Sequence, residues 1–532
     1  MIIVKLCVNP GRVECSVINP AYEIERLLQF GEKHEMIDKL DKIIVRNQLL
    51  DLLRLKEPLG EDAADEALEF PTDILDRIVQ YAGDTGLIDK ESYVGRELFD
   101  TRIMGFLMPR ESEIVRKFGE LAEKQSISAA TDYFYELCRA SNYIRTSQIA
   151  KNIKWISKSK YGGLEITINL TKPEKDPKII AMEKLQPESN YPVCMLCIDN
   201  IGYAGRLDFP ARQTHRLIPV TLCGEQWYFQ YSPYVYYNEH CIVLTEKHEP
   251  MVISKDTFRR LLDFVRQFPH YLCGSNADLP IVGGSILSHN HFQGGNYLFP
   301  MQKATVTRKY KSERFSHVKI GIVKWPLSVI RASSDSIEEL TEYCNNVLNQ
   351  WRNYSNESAQ VIACSGSGSE KVPHNTITPI ARMNEAREYE IDLVLRNNRT
   401  TDEYPDGIFH PHKEIHHIKK ENIGLIEVMG LAILPGRLKN ELEQIKQILM
   451  GQRDTVWGNE SGDVLWRHKS WIEELIRKYG CSMSPEQAEE VIRHETGKKF
   501  ETCLEQTGVF KQDDVGLKAF DRFIKSTGCE GK

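Results

Sequence analysis

The hydrophobic period of this 532-residue chain changes near residue 160, and that change limits the folds open to it. From about Ala21 to Asn152 apolar residues recur at helical spacing. In "MIDKLDKIIVRNQLLDLLRL" the spacing predicts one apolar face through Ile37, Leu40, Ile44 and Leu52, with charges between them. In "GGLEITINLTKPEKDP" the period becomes two. Leu164, Ile166, Ile168 and Leu170 alternate with polar partners, and "KPEKDP" is expected to close the strand.

Strand signals continue in "QWYFQYSPYVYY" and "EHCIVLTEKH", followed by an amphipathic helix in "SKDTFRRLLDFVRQF" with Ser254 as its N-cap. A second mixed segment of parallel make-up holds "HVKIGIVKWPLSVIRAS", a helix in "SIEELTEYCNNVLNQWRNY" and the strand "EYEIDLVLRNN". Beyond Leu438 the period is helical again, and "SPEQ" at Ser484–Gln487 reads as a capping box with proline at the first helical position. The expected fold class is therefore α+β. A helical N-terminal region (about 1–150) precedes mixed segments at about 151–308 and 309–437, and a helical C-terminal region (about 438–532) follows. "CSGSGSEK" lacks the spacing of a phosphate-binding loop and reads as a plain loop.

Composition excludes several classes. With 41% hydrophobic and 27% charged residues the chain is an ordinary globular one, and a net charge of -7 argues against a nucleic-acid coat while leaving room for a small anion held by local arginines. The N-terminal "MIIVKLCVNPGRVEC" does not read as a signal peptide, and no run of eighteen apolar residues occurs, so no membrane partner and a cytoplasmic location are expected. The thirteen cysteines are then reduced thiols, and a close pair is a metal or redox site.

The chemistry concentrates in "SILSHNHFQGG". On a strand, His289, His291 and Gln293 would project from one face, away from Asn290 and Phe292. The preceding "VGGS", ending at Ser285, and the following Gly294 and Gly295 permit tight turns and close approach to an anion. A neutral imidazole with one nitrogen hydrogen-bonded and the other free is a competent nucleophile at phosphorus, and a glutamine N–H can follow a phosphoryl oxygen into the transition state. The same pattern also suits a metal pair or a surface strand. "CMLC" places Cys194 and Cys197 at C-x-x-C spacing; with His248 and His289 they would complete a Cys₂His₂ zinc site and leave His291 free. By itself the cysteine pair is as compatible with an incidental or redox pair.

On these residues, and on "CMLCIDNIGYAGRLDFPARQTHR", "QYSPYVYYNEHCIVL", "GSNADLPIVGGSILSHNHFQGG" and "HPHKEIHHIKKENIGLIEVMGLAILPGR", the chain resembles the galactose-1-phosphate uridylyltransferase family in its longer type 2 form. The resemblance runs from about Tyr161 to Leu438. It implies a histidine-triad fold of two related halves on antiparallel sheet, flanked by helical extensions. It also implies ping-pong exchange of a uridylyl group among UDP-glucose, galactose 1-phosphate, UDP-galactose and glucose 1-phosphate. In that reaction His291 would attack the α-phosphorus, Gln293 would hydrogen-bond the transferred group and Asn276 would lie near the nucleotide, while Cys194, Cys197, His248 and His289 match zinc ligands.

Other candidates rest on less. Arg206, Arg212 and Arg216 are candidates as a group for substrate phosphates, though each alone reads equally as a structural arginine. Lys419, Lys420 and Glu427 fall where relatives line the hexose site. His410, His412, His416 and His417 invite a second metal, which the resemblance to the family's short form implies, but Gln302 stands where a carboxylate ligand is wanted and the stretch reads at least as well as a polar loop bordering the sugar pocket. The resemblance leaves open a homodimer. Two other readings are a histidine-triad hydrolase or phosphorylase, disfavoured by glutamine at 293, and an inactive zinc-stabilised scaffold.

Overall fold

The computed structural model describes residues 18–60, 63–171, 189–284, 286–454 and 464–531. The expected strand terminator "KPEKDP" and Ser285 lie outside the described residues. The chain divides into two compact units, one comprising Met1–Arg110, Glu136–Tyr143 and Ile201–His215, the other Glu111–Tyr135, Ile144–Asn200 and Arg216–Lys532.

The first unit is helical, as its period predicts. Helices Pro20–Lys33, Lys42–Leu52, Thr72–Asp84 and Tyr93–Leu107 bury Ile24, Leu27, Leu49, Ile74, Ile78 and Ile103. The Asn19 side chain accepts from the backbone N–H groups of Ala21 and Tyr22 and starts the first helix. The face expected through Ile37, Leu40, Ile44 and Leu52 does not form as such. Its second helix begins only at Lys42, so Leu40 sits in the preceding turn at 85% exposure and Ile44 is 58% exposed, while Val45, Leu49 and Leu53 turn inward. A turn placed inside the window broke the phase on which the reading depended.

The second unit is built on antiparallel sheet. Its strands in chain order are β1 (Ile153–Ser159), β2 (Gly162–Asn169), β3 (Ile218–Leu222), β4 (Glu225–Tyr231), β5 (Cys241–Thr245), β6 (Leu272–Gly274), β7 (His291–Gly295), β8 (Val306–Lys311), β9 (Lys319–Val323), β10 (Val329–Ser334), β11 (Cys364–Ser365), β12 (Val372–Pro373), β13 (Asn375–Met383), β14 (Tyr389–Asn397), β15 (Leu431–Pro435) and β16 (Glu530–Gly531). Among the described residues eleven of them form one sheet in the order β16-β8-β9-β10-β14-β13-β6-β7-β5-β4-β3, every pairing antiparallel. Strands from both mixed segments meet in it where β13 pairs with β6. A smaller sheet, β1-β2-β15, joins β2 and β15 in parallel.

The strand read at β2 forms, but the alternation holds only in its first half: Thr167 and Asn169, the polar partners, are buried as well, and Leu170 lies beyond the strand. Leu164, Ile166 and Ile168 are at most 2% exposed and pack with Trp325, Leu431 and Leu434 in one core. The expected helices appear as Lys255–Gln267 behind Ser254 and as Ile337–Arg352 behind Ser336, whose hydroxyl accepts from the Glu339 N–H. Helices Leu438–Leu449, Lys469–Tyr479, Pro485–Thr507 and Asp514–Ser526 form the C-terminal region, and the capping box at Ser484 and Gln487 is present. "CSGSGSEK" contributes β11, which pairs with β12 in a small hairpin. Among the described residues no helix is long and apolar enough to cross a membrane.

Candidate active site

The site starts from a hairpin of short elements around β7. Pairing with β5 sets Leu244 opposite His291 and Ile242 opposite Gln293, and pairing with β6 sets Gly274 opposite Gln293. Phe292 points to the other face, 1% exposed and stacked on Trp227 at 4.8 Å between ring centroids. His291 and Gln293 therefore share a face as the alternation predicts. His289 lies before the strand starts, and its side chain serves a different centre.

That centre is a four-residue cluster, Cys194, Cys197, His248 and His289, whose ligand atoms lie within 4.8 Å of one another. The two sulfurs are 3.6 Å apart, Cys194 Sγ is 3.3 Å from His289 Nδ1, and Cys197 Sγ is 3.3 Å from His248 Nδ1. Such separations are close to the edges of a tetrahedron whose centre is bonded to sulfur at about 2.3 Å and nitrogen at about 2.0 Å. The surroundings are built to hold it. His289 Nε2–H donates to the Thr245 carbonyl at 2.9 Å, which leaves Nδ1 as the ligand atom. Asn200 donates to the carbonyls of Cys194 and Cys197 at 2.8 Å each, and the Leu196 N–H points at Cys194 Sγ. Burial pushes the Cys197 thiol up to about 11, with the neighbouring Cys194 sulfur adding to it, so a thiolate here needs a cation beside it. The donor set fits zinc.

His291 is held from the same turn. Its Nδ1–H donates to the His289 carbonyl at 2.8 Å, so Nε2 keeps its lone pair. Gln293 opens onto a cavity of about 850 Å³ that is also lined by Asn276, Lys419 and Glu427. Asn276 is 3% exposed, and its Oδ1 accepts from the Leu425 N–H at 2.9 Å, tying the loop after β6 to the segment around 425. Lys419 donates to Glu427 at 3.0 Å and lies 3.6 Å from Glu421. Burial works against its charge, but the two carboxylates outweigh that and raise its pKa.

The glycines serve the chain's own packing. A Cβ on Gly284 would stand 2.7 Å from Asn276 Nδ2, one on Gly294 2.5 Å from the Leu272 carbonyl, and one on Gly295 2.6 Å from the Glu239 carbonyl.

The remaining candidates are placed as follows. Lys420 is exposed, and its neighbour Lys419 lines the cavity. Arg206 and Arg212 belong to the first unit, where Arg206 is bonded to Asp208 and to the Tyr203 hydroxyl. Arg216, in the second unit, is 3.5 Å from Glu111. The four histidines do not meet as one cluster: His410 and His416 both contact the Pro411 carbonyl with their rings 6.4 Å apart, while His410 also meets Asn422, His412 meets Ile408 and His417 meets His468. Gln302 caps its own short helix by accepting from the Phe299 N–H. Asn169, Tyr236, Glu421 and Asn422 also line the cavity; the last three fall within the stretches that carry the family resemblance, but nothing local singled them out from their neighbours as site residues.

An antiparallel α+β body with a Cys₂His₂ cluster beside a strand histidine and glutamine defines a class, the nucleotidyltransferases of the uridylyltransferase kind. The chain belongs to the galactose-1-phosphate uridylyltransferase family: residues 35–250 match the model of its N-terminal domain and 264–456 that of its C-terminal domain. It is 56% identical over 512 residues to the galactose-1-phosphate uridylyltransferase of Caldanaerobacter subterraneus subsp. tengcongensis, covering 96% of this chain and 98% of that one. It is 49% identical over 508 residues to that of Halalkalibacterium halodurans (95% and 98% covered) and 46% identical over 509 residues to that of Bacillus subtilis (95% and 98%). No solved structure matches it.

Proposed function

We propose that the protein transfers UMP from UDP-glucose to galactose 1-phosphate, as an enzyme of galactose metabolism, through a uridylyl group carried on His291. The observation that carries this reading is the bond from His291 Nδ1 to the His289 carbonyl, beside a glutamine facing a cavity. The free Nε2 forms a bond to the α-phosphorus as the bond from that phosphorus to the glucose 1-phosphate oxygen breaks. The Nδ1 proton stays with the ring, where the carbonyl stabilises the cationic adduct. A phosphate oxygen of galactose 1-phosphate then attacks phosphorus and the P–N bond breaks, releasing UDP-galactose with no net proton transferred. Gln293 donates to the phosphoryl oxygens, and Asn276 faces the nucleotide. Glu427 with Lys419 faces the hexose, and Ser285 and Arg216 answer substrate phosphates.

Cys194, Cys197, His248 and His289 would hold a zinc ion, whose chemistry here is to fix the turn that presents His291. The two mixed segments, about 151–308 and 309–437, are read as the related halves of a histidine-triad fold, with helical regions on either side. A cytoplasmic location is part of this reading, and the reduced state of the cysteines follows from it.

The test is incubation with UDP-glucose labelled in the α-phosphate, without galactose 1-phosphate. The expected result is a stoichiometric, acid-labile, base-stable label on His291 with matching release of glucose 1-phosphate. An active preparation that forms no adduct would exclude the covalent route.

A further inference from the structure

We propose that His240 is a positioning residue for Gln293, fixing the direction in which that amide meets the transferred phosphoryl group. The inference rests on the role given to Gln293 above. His240 is 3% exposed, and its Nε2 lies 3.4 Å from the Gln293 amide Oε1. On its other side Nδ1 is 3.0 Å from the Tyr234 carbonyl, and the ring sits against Tyr236 and Tyr237 at 5.5 and 4.6 Å.

The bonding pattern selects one arrangement. A carbonyl only accepts, so the neutral ring carries its proton on Nδ1 and offers a lone pair at Nε2. Burial keeps the ring neutral, with its pKa pushed down to about 4. Gln293 must then answer with an N–H. Its Oε1 is another acceptor, and a half-turn about Cγ–Cδ exchanges it for the amide nitrogen and satisfies both groups. That nitrogen carries two hydrogens. One goes to His240 and the second is left for a phosphoryl oxygen. An amide without this partner presents oxygen as readily as nitrogen, and oxygen would repel the phosphoryl group.

The segment before His240 is built to hold the ring in place. Glu239 takes a left-handed conformation, φ +53°, rare for a residue with a side chain. Its carboxylate accepts from the Tyr271 hydroxyl at 2.5 Å and from the Asn238 and Asn296 amides at 2.7 and 3.2 Å. Gly295, next but one to Gln293, has φ +149° and leaves room for the Glu239 carbonyl. The turn and the strand are thus fitted to each other at the point where His240 touches Gln293.

A double-mutant cycle on the full-length metal-loaded enzyme tests this, read as the single-turnover rate of label transfer from α-phosphate-labelled UDP-glucose to protein. His240→Phe, which keeps the ring volume, is expected to slow transfer roughly ten- to hundred-fold with little change in substrate affinity. In the Gln293→Ala background it is expected to cost nothing further. His240→Gln, which can still accept from Gln293, should recover part of the rate. Metal content and Tm accompany each variant, so that a folding defect in His240→Phe is seen and the His240→Gln arm decides instead. Losses that multiply in the double variant, a His240→Phe enzyme that labels at the wild-type rate, or a His240→Gln enzyme that labels no faster than His240→Phe would overturn the proposal while leaving the transferase reading intact. A wild-type enzyme that never labels, or Gln293→Ala at full rate, would instead remove the reading beneath it.

Discussion

The Nδ1 of His291 and the main-chain carbonyl of His289 are joined at 2.8 Å, while the side chain of that same His289 lies in the Cys₂His₂ cluster. One residue thus serves two centres: its imidazole anchors the turn and its carbonyl sets the tautomer of the neighbouring histidine. Disturbing the cluster should therefore reach the chemistry through the backbone.

Replacing Cys197 with serine is expected to lower bound metal from about one ion per chain to near zero, since a hydroxyl is a poor ligand beside a thiolate and two imidazoles. Label incorporation at His291 and Tm should fall together. Metal analysis alongside the adduct assay checks this, and full labelling of a metal-free variant would refute it.

Gln293 donates to a group whose charge is redistributed in the transition state, so Gln293→Ala should slow uridylyl transfer by roughly 10²–10³-fold, the usual cost of one such donor. Rapid-quench measurement with UDP-glucose separates this from a change in binding, which is expected to be small.

Lys419 is 5% exposed and balances Glu427 and Glu421. Lys419→Met would leave buried carboxylate charge without its cation, costing about 3–5 kcal/mol of stability. Urea denaturation should show that loss, and adding Glu427→Gln should recover part of it.

His417 Nδ1 lies 2.8 Å from His468 Nδ1, and His468 Nε2–H donates to Glu441 at 3.0 Å, linking the chain before β15 to the C-terminal helices. Burial, with His468, Lys499 and Arg437 adding to it, pushes the His417 pKa down to about 3 from an ordinary 6.5. The unfolded chain therefore binds this proton first as pH falls. The stability contributed by the neutral ring is present above about pH 6.5 and is lost progressively toward pH 3. Denaturation midpoints between pH 7 and 5 should drop less steeply for His417→Phe than for wild type.

How far the sequence could be read depended on whether the signal was local. The Ser484 capping box, the inward row of Leu164, Ile166 and Ile168 in β2 and the spacing of His291 and Gln293 each lie within a few residues, and each appears in the structure. The face expected through Leu40 and Ile44 failed because the phase of a helix depends on where it starts, and that start was set by a turn the periodicity did not reveal. Lys420 and Lys419 were indistinguishable as neighbours in sequence. Their different fates, one exposed and one buried against Glu427, depend on which way the segment faces the cavity.

By itself the sequence determined the residue types and short spacings that carry chemistry: two thiols at C-x-x-C, a histidine and a glutamine two apart, and the periods that separate helical ends from sheet. Tertiary structure alone decided the rest. It brought Cys194 to His289 across 95 residues, Asn276 to Leu425 across 149, and His240 to Gln293 across 53. Those contacts arise from strand pairing and loop packing between distant segments, so no window of the sequence contains both partners, and the physics that joins them acts only once the sheet has formed.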